Sequence, residues 1–255
     1  MRAILTYHSI DDSGSALSTA PDIFDRQMRW LARSKIQVVS VDEIMAVPAD
    51  VDAVALTFDD GLESFATRAW PVIEAAGLPV TLYVVSALTG RHNTWDESSA
   101  LHVPRQRLLD WDTIGRLHDK GVTIGSHTRS HADLVALDPQ RLADEIEGSR
   151  RDIRDAIGVT PVSFAYPYGS VGGEAARLVR KSYRTACTCD LRSVTASDER
   201  HLLPRLDTYY FRKAGQLEAW GSRAFHWRLR LRACARTLRS RTAWQRRRRA
   251  AHELG

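Results

Sequence analysis

Cysteine is scarce in this 255-residue sequence, which contains only Cys187, Cys189 and Cys234. Three cysteines cannot form a complete set of disulfides, and two side chains only two positions apart rarely close one. A metal site on Cys187 and Cys189 would need further ligands nearby, and the neighbouring sequence offers none. We therefore expect that pair to be small buried side chains, and the sequence argues against a disulfide-stapled fold.

Long apolar runs are also missing. No segment approaches the roughly 20 apolar residues that a membrane-spanning helix needs. The first apolar stretch reaches only from Ala3 to Tyr7, and His8 and two aspartates follow it, which is not the pattern of a secretory signal. We therefore expect a cytoplasmic protein, with a peripheral position at the inner membrane face as the alternative, and a substrate made inside the cell.

Length and composition predict one α/β domain. The chain is 44% hydrophobic, which is enough to bury a full core at this length. Short apolar segments alternate with helical patterns along it, and this rhythm predicts a parallel sheet. The predicted strands cover 3–8, 36–40, 52–58, 79–85, 122–126, 162–166 and 184–188. The predicted helices cover 22–34, 63–76, 111–120, 138–157 and 172–182, and loops at 11–20 and about 87–107 border a groove.

Two short polar segments carry the chemistry, and each follows a predicted strand. Asp59 and Asp60 are adjacent, so at a strand end their side chains diverge. His127 and His131 are one helical turn apart, so on a helix or helical turn both rings project to the same side. Two imidazoles and one carboxylate can bind a divalent metal with a position left for water, while the second carboxylate serves as a base.

Either segment alone is more often structural than functional. Asp-Asp-Gly is usually a turn or a helix cap, and His-x-x-x-His usually marks two ordinary histidines. Their conjunction is stronger because the carboxyl ends of parallel strands are where active sites gather. The pair of segments therefore predicts a metal-assisted hydrolase.

These segments resemble the polysaccharide deacetylase family, carbohydrate esterase family 4, with its NodB-type domain. The resemblance extends over most of the chain and implies a distorted (β/α)₇ barrel over residues 1–212. It also implies one divalent metal ion, Zn²⁺ before Co²⁺ or Ni²⁺, and the removal of acetyl groups from N-acetylated sugars. By the match, Asp59 would be the base, and Asp60, His127 and His131 would be the metal ligands.

A third segment of the family pattern lines the groove, and here it implies substrate contacts for Pro167 and Tyr168. Better-known members carry in this segment an arginine that pairs with the base, but this chain has Ala165. Arg205 is a candidate to replace that arginine from another strand. The alternative is that Arg205 is an exposed charge at a strand end.

The late segment that usually carries the family's general acid is missing. Branches that resemble poly-N-acetylglucosamine deacetylases carry an acid histidine on an N-terminal strand, which implies that His8 is the general acid here. The alternative for His8 is an ordinary core histidine. Trp111 could stack on a sugar ring, or it could be a core residue at the start of a helix.

The C-terminal segment, 213–255, differs in composition from the predicted catalytic domain. From Gly221 onward it contains eleven arginines and one glutamate, whereas the whole chain carries only +5, so the rest of the chain is net acidic. Its apolar residues alternate with arginines, which suits a helix on an anionic membrane surface. They are Trp227, Leu229, Leu231, Leu238 and Trp244. A solvated extension, a helix packed on the acidic body, and, less favoured, binding of nucleic acid are the alternatives.

Taken with the resemblance, these features favour a metal-dependent N-deacetylase acting on a GlcNAc-type carbohydrate. The substrate would be an oligosaccharide, a glycoconjugate or a lipid-linked glycan precursor. One alternative is a related C–N hydrolase that acts on a small amide or a cyclic ureide. The other is a non-catalytic binding protein, associated with a membrane or nucleic acid through the arginine-rich segment.

Overall fold

The computed structural model of the chain describes residues 1–96 and 103–236. Its strands are β1 (Arg2–Tyr7), β2 (Ser9–Ile10), β3 (Ser18–Thr19), β4 (Gln37–Val38), β5 (Ala53–Phe58), β6 (Val80–Val84), β7 (Thr123–Ser126), β8 (Ser163–Ala165), β9 (Thr185–Cys187) and β10 (Leu206–Asp207). Its α-helices are α1 (Pro21–Arg33), α2 (Trp70–Ala76), α3 (Trp111–Asp119), α4 (Pro139–Ala143), α5 (Ser149–Ile157), α6 (Gly173–Ser182) and α7 (223–236). Every predicted strand and helix overlaps one of these elements.

The main sheet is parallel throughout and has the strand order β10-β1-β5-β6-β7-β8-β9, with β4 also paired to β5. The segment 203–207 connects the two ends of this order. Leu203 bridges Cys187 in β9, and Leu206 pairs with Leu5 in β1. The sheet therefore curls back toward its first strand and, with its helices, forms the expected distorted (β/α)₇ barrel.

Burial explains why the central strands form where they do. All six residues of β1 and all six of β5 are buried. A parallel strand that is covered on both faces requires such a continuous apolar run. Around the sheet, α1 and α3 turn an apolar stripe toward the core, with Phe24, Met28, Ile114 and Leu117 buried.

Local residue types account for where helices begin and end. The side chain of Asp138 accepts hydrogen bonds from the backbone N–H groups of Gln140 and Arg141, so it caps the start of α4. Gly77 ends α2 in the left-handed conformation, with φ of 62°, which a residue without a Cβ adopts at no steric cost. These ends bring each helix back to the strand that follows it.

The described part of the C-terminal segment packs against the barrel. Leu217, Phe225 and Leu229 are buried and belong to the main core cluster. A packed helix was one of the alternatives for this segment, and the boundary at residue 212 stays a prediction. Leu238, Trp244 and the arginines at 246–249 lie outside the described residues. Among the described helices, none is long and apolar enough to cross a bilayer.

Candidate metal centre and active site

The candidate residues meet at one edge of the barrel. Asp59 and Asp60 follow β5, His127 follows β7, and His8 follows β1. Because these strands run parallel, their carboxyl ends lie at the same edge, and residues far apart in sequence become neighbours. The two polar segments therefore share one site, as the sequence predicted.

Asp60, His127 and His131 form a buried cluster with metal-binding geometry. The Oδ1 atom of Asp60 lies 3.6 Å from Nε2 of His127 and 3.5 Å from Nε2 of His131. Ligand atoms at two corners of a tetrahedron with zinc bond lengths are about 3.3–3.4 Å apart. The three candidate ligand atoms all lie within 4.8 Å of one another. Two imidazole nitrogens and one carboxylate oxygen thus converge as a divalent ion requires.

The histidines are held in the form that binds metal. Nδ1 of His127 lies 2.7 Å from the carbonyl oxygen of Ala165, which can only accept, so Nδ1 carries the proton and Nε2 keeps its lone pair. Burial lowers the pKa of His127 to about 4, although the charge of Asp59 opposes the shift. Burial also lowers the pKa of His131 well below its usual value. Both rings are therefore neutral at pH 7.

A helix or helical turn, which the spacing of the two histidines would allow, does not orient them. After β7 the chain forms a non-helical loop over 127–131. Thr128 and His131 adopt left-handed backbone conformations, with φ of 67° and 60°. The N–H of His131 donates to the Thr128 hydroxyl at 3.0 Å. This local turn, rather than an α-helical repeat, brings the second ring beside the first.

Glu145 fixes this loop from outside the cluster, and the sequence did not identify it. Its Oε2 accepts the backbone N–H groups of Arg129 at 2.8 Å and Ser130 at 2.9 Å, and its Oε1 accepts the Ser130 hydroxyl at 2.5 Å. Glu145 is itself buried. It looked like an ordinary helical glutamate, since no local pattern indicates which loop a helix will face.

Asp59 is paired with Arg205 rather than directed at the metal cluster alone. The guanidinium donates two hydrogen bonds to the carboxylate, at 2.7 and 2.8 Å, and a third to the carbonyl of Thr188 at 2.9 Å. Burial by itself would raise the pKa of Asp59, but the charge and hydrogen bonds of Arg205 hold it well below its ordinary value. Asp59 therefore stays ionised, as a base must be.

His8 approaches the same carboxylate from β1. Its Nε2 lies 3.9 Å from Oδ2 of Asp59, and its side chain is 19% exposed. That partial exposure distinguishes it from a fully enclosed core histidine. His8 therefore places a partly exposed imidazole beside the carboxylate of Asp59.

Backbone strain is concentrated at this site. Of the residues that the structure describes, four non-glycine ones have positive φ angles. Asp60, His131 and Tyr168 belong to the candidate centre, and Thr128 supports it. Such conformations cost of order 1–3 kcal/mol each and persist where the surrounding structure enforces them. Their concentration here indicates that the surrounding structure holds strained backbone conformations that orient the side chains of this site.

Two aromatic side chains pack against the ring of His131. Tyr168 meets it edge-on at 4.7 Å and is 50% exposed. Trp95 stacks on it, also at 4.7 Å, with an angle of 21° between the rings. The sequence did not single out Trp95, although the loop that carries it was expected to border the groove. Trp95 and Tyr168 are therefore the aromatic surfaces nearest the cluster.

The other two predicted substrate contacts lie elsewhere. Pro167 is buried beneath the turn that exposes Tyr168. Trp111 begins α3 and packs, partly buried, against the main core, which is the alternative that the sequence left open. Neither residue lines the cavity that borders Tyr168, and none of the three candidate metal ligands does. That cavity has a volume of about 420 Å³ and is lined by Tyr168, Gly169, Cys189, Asp190, Leu191, Arg192, Ala233 and Arg236.

The sequence model of the family described as polysaccharide deacetylase matches residues 46–186. The chain belongs to this family. The matched range contains Asp59, Asp60, His127 and His131, whereas His8 and Arg205 lie outside it. The polysaccharide deacetylase fold thus brings residues from beyond the matched range to the same carboxylate.

Curated relatives are distant and longer than the matched region. YxkH of Bacillus subtilis (strain 168) is 25% identical over 185 residues, which cover 70% of this chain and 61% of YxkH. The poly-β-1,6-N-acetyl-D-glucosamine N-deacetylase of Escherichia coli (strain K12) is 25% identical over 218 residues, covering 69% of this chain and 32% of that protein. This chain therefore spans less than two thirds of either relative.

Solved structures confirm the fold of this polysaccharide deacetylase domain. The Streptococcus pyogenes deacetylase PplD, solved in complex with acetate, superposes with a TM-score of 0.69 at 22% identity. The superposition covers 81% of this chain and 91% of that one. At this identity the likeness establishes the barrel fold.

Proposed function

We propose that this chain is a metal-dependent hydrolase that removes N-acetyl groups from a GlcNAc-type carbohydrate and releases acetate. The observation that carries the proposal is the pairing of two functions within one buried site. Asp60, His127 and His131 fit one divalent ion, and the adjacent Asp59 is kept ionised and out of the ligand set by Arg205. Amide hydrolysis needs this combination of an electrophilic centre and a free base.

The donor set suits Zn²⁺ best, with Co²⁺ or Ni²⁺ as substitutes, because two imidazoles and one carboxylate leave a coordination position open. When bound there, the ion would polarise the amide carbonyl and lower the pKa of a water molecule. Asp59 would take the proton from that water as it attacks the acetyl carbon. Arg205 would hold the Asp59 carboxylate in place through its two hydrogen bonds.

The departing amine needs a proton, because an amide anion is too poor a leaving group. His8 is the group we assign to this step, since its Nε2 lies 3.9 Å from Asp59 and its side chain is partly exposed. Transfer of its proton to the sugar nitrogen as the C–N bond breaks would give acetate and a glucosamine-type product. The half-exposed ring of Tyr168 beside the cluster offers an apolar surface for a sugar face.

The substrate class rests on family membership and on the names of relatives that deacetylate N-acetylglucosamine polymers. The test is acetate release by the purified chain, loaded with Zn²⁺, Co²⁺ or Ni²⁺. Its substrates are GlcNAc oligomers, a GlcNAc–lipid conjugate and small amides. Metal-dependent release from the sugars would support the proposal. Release from small amides only would favour a related C–N hydrolase, and no release from any metal-loaded sample would contradict the assignment.

Separate substitution of the two adjacent aspartates provides a direct check. Loss of the base and loss of a metal ligand should have different effects on metal content. We expect Asp59→Asn to lower turnover by about 10²–10⁴-fold while the metal stays bound, since only the base is lost. We expect Asp60→Asn to lose metal as well as activity. Metal content and acetate release are measured on the same samples. Asp155→Asn, at an exposed carboxylate, is the matched control. Full activity in Asp59→Asn would remove Asp59 as the base.

A further inference from the structure

The outward face of α7 is apolar where a surface helix is normally polar. Phe225 and Leu229 turn inward and are 2% and 6% exposed. Trp227 and Leu231 turn outward and are 64% and 50% exposed. The helix is therefore anchored on the barrel by one apolar stripe and presents a second one away from it.

Helical periodicity identifies the residues that share the outward face and those at its borders. With 3.6 residues per turn, Ala224 and Ala235 share the outward face with Trp227 and Leu231. Exposed arginines occupy both borders of the stripe. They are Arg223 and Arg230 on one side and Arg228 on the other. The helix over 223–236 contains five arginines and no acidic residue.

This arrangement matches the physical requirements of a helix lying in a membrane interface. Such helices bury an apolar stripe at the boundary between headgroups and acyl chains and place cationic side chains along its borders. Each arginine near an anionic leaflet adds electrostatic attraction, which salt screens. The sequence beyond residue 236 adds six arginines and one glutamate to the charge of the same part of the chain.

We propose that α7 docks on the surface of an anionic lipid bilayer, with Trp227 and Leu231 entering the interface and Arg223, Arg228 and Arg230 contacting lipid headgroups. The proposal does not depend on the chemistry of the metal centre. The sequence suggested a membrane contact through the whole arginine-rich segment. Within the described part of that segment, the structure leaves Trp227 and Leu231 exposed and excludes Leu229, which is buried against the barrel.

The helix proposed to dock also forms part of a cavity wall. Ala233 and Arg236, on the inner side of α7, line a cavity together with Tyr168. At 1.5 Å per residue, Leu231 and Arg236 are separated by about 7.5 Å along the helix axis. The proposed lipid contact and the wall of this cavity therefore belong to the same helix.

A bilayer suits this face better than other occupants. A stable protein partner typically needs about 800 Å² on each side, whereas two side chains provide the apolar contact here. Nucleic acid would make favourable contacts between its phosphates and the arginines. It would not account for an exposed tryptophan and leucine at the centre of the face. A bilayer accommodates both features, because the apolar stripe is buried among acyl chains and the arginines are attracted to anionic headgroups.

The experiment is co-sedimentation of the full chain with vesicles of phosphatidylcholine alone or mixed with phosphatidylglycerol. We expect binding to the anionic vesicles that weakens as salt rises. Trp227→Ser with Leu231→Ser should lower the partition coefficient about tenfold or more, because the buried apolar area is lost. Replacing Arg223, Arg228 and Arg230 with Gln should lower both the affinity and its salt dependence.

Matched control variants distinguish binding through this face from non-specific binding to vesicles. Val135→Ser removes another exposed apolar side chain, and Arg151→Gln another exposed arginine, and neither should change vesicle binding. Circular dichroism and unfolding midpoints should show that all variants remain folded, since each substituted residue is exposed.

Three results would overturn the proposal. The first is unchanged vesicle binding in the Trp227/Leu231 double variant. The second is binding that disappears when Arg246 to Arg249 are replaced with Gln but survives the double variant. The third is a wild-type dimer in sedimentation velocity that the double variant converts to monomer, with no vesicle binding by either.

Discussion

At the scale of single residues, the pair of Asp59 and Arg205 governs the electrostatics of the site. Arg205 is the largest fully buried side chain of the described residues. Its positive charge is paired with the Asp59 carboxylate through two hydrogen bonds. A buried pair of this kind can be weak as a source of stability but is costly to break, because removal of one partner leaves the other charged and desolvated.

We therefore predict that Arg205→Met moves the acidic limb of the pH–rate profile to higher pH. With Arg205 present, the pKa of Asp59 is depressed, so the base stays ionised as the pH falls. Without it, burial dominates and raises that pKa, so activity disappears earlier on acidification. The profile of kcat/KM against pH checks the sign, and an unmoved acidic limb would show that Arg205 does not set the ionisation of the base.

The same variant should lower the free energy of unfolding by about 3–5 kcal/mol, as expected for a broken buried pair. Arg192→Met is the matched control. Arg192 also bonds a carboxylate twice, that of Asp198, but its side chain is 44% exposed. A surface pair of this kind contributes about 0–1 kcal/mol. Urea unfolding of both variants measures the difference.

The geometry around His8 favours the role of general acid over that of a metal ligand or a packing residue. We predict that His8→Gln lowers turnover by about 10²–10⁴-fold and leaves the metal content unchanged, because His8 lies beside the base and outside the three-residue cluster. His118→Gln, at the end of α3, is the control. Loss of metal in His8→Gln would reassign His8 as a ligand, and unchanged turnover would return it to the role of a packing residue.

At the scale of elements, the loop after β7 depends on a helix turn that contributes no atom to the metal cluster. Glu145 accepts three hydrogen bonds from Arg129 and Ser130, in the segment between the two histidines. Support from outside the ligand set usually affects metal affinity strongly, because it fixes the orientation of the ligands.

We predict that Glu145→Gln weakens metal affinity by about 10–100-fold, since the new amide turns a donor toward backbone donors. Competition with a chromogenic chelator measures the affinity. Asp144→Asn is the matched control, because Asp144 is in the same turn but bonds the exposed guanidinium of Arg129. Equal metal affinity in wild type and Glu145→Gln would show that the loop keeps its shape without this carboxylate.

At the scale of the whole molecule, the core extends beyond the predicted catalytic domain. Phe225 is 2% exposed and stacks on Phe211 at a ring distance of 5.3 Å. Both belong to the core cluster that includes β1 and β5 residues. The described C-terminal helix therefore shares the apolar interior of the barrel.

We predict that Phe225→Ala lowers the free energy of unfolding by about 3–5 kcal/mol, because it leaves a cavity in the core. Trp227→Ala, two positions away on the exposed face, should change it by no more than about 0.5 kcal/mol. Urea unfolding of the full chain compares them. A small loss in Phe225→Ala would favour an independent extension after residue 212.

The elements were accessible from sequence because they depend on local periodicity. Alternating apolar segments and helical patterns predicted a parallel sheet, and the family resemblance implied that this sheet forms a barrel. The four residues Asp59, Asp60, His127 and His131 were also accessible, since the carboxyl ends of parallel strands must meet at one edge.

Only the tertiary structure decided which distant groups complete that site. Arg205 reaches Asp59 across 146 positions of sequence, and Glu145 and Trp95 act on His131 and its loop from separate elements. No local pattern records such contacts, because they arise from how the sheet curls and how loops fold over its edge. The two faces of α7 were likewise settled by packing: the sequence gives the mixture of Trp, Leu and Arg, whereas contact with the barrel determines which side chains remain outside.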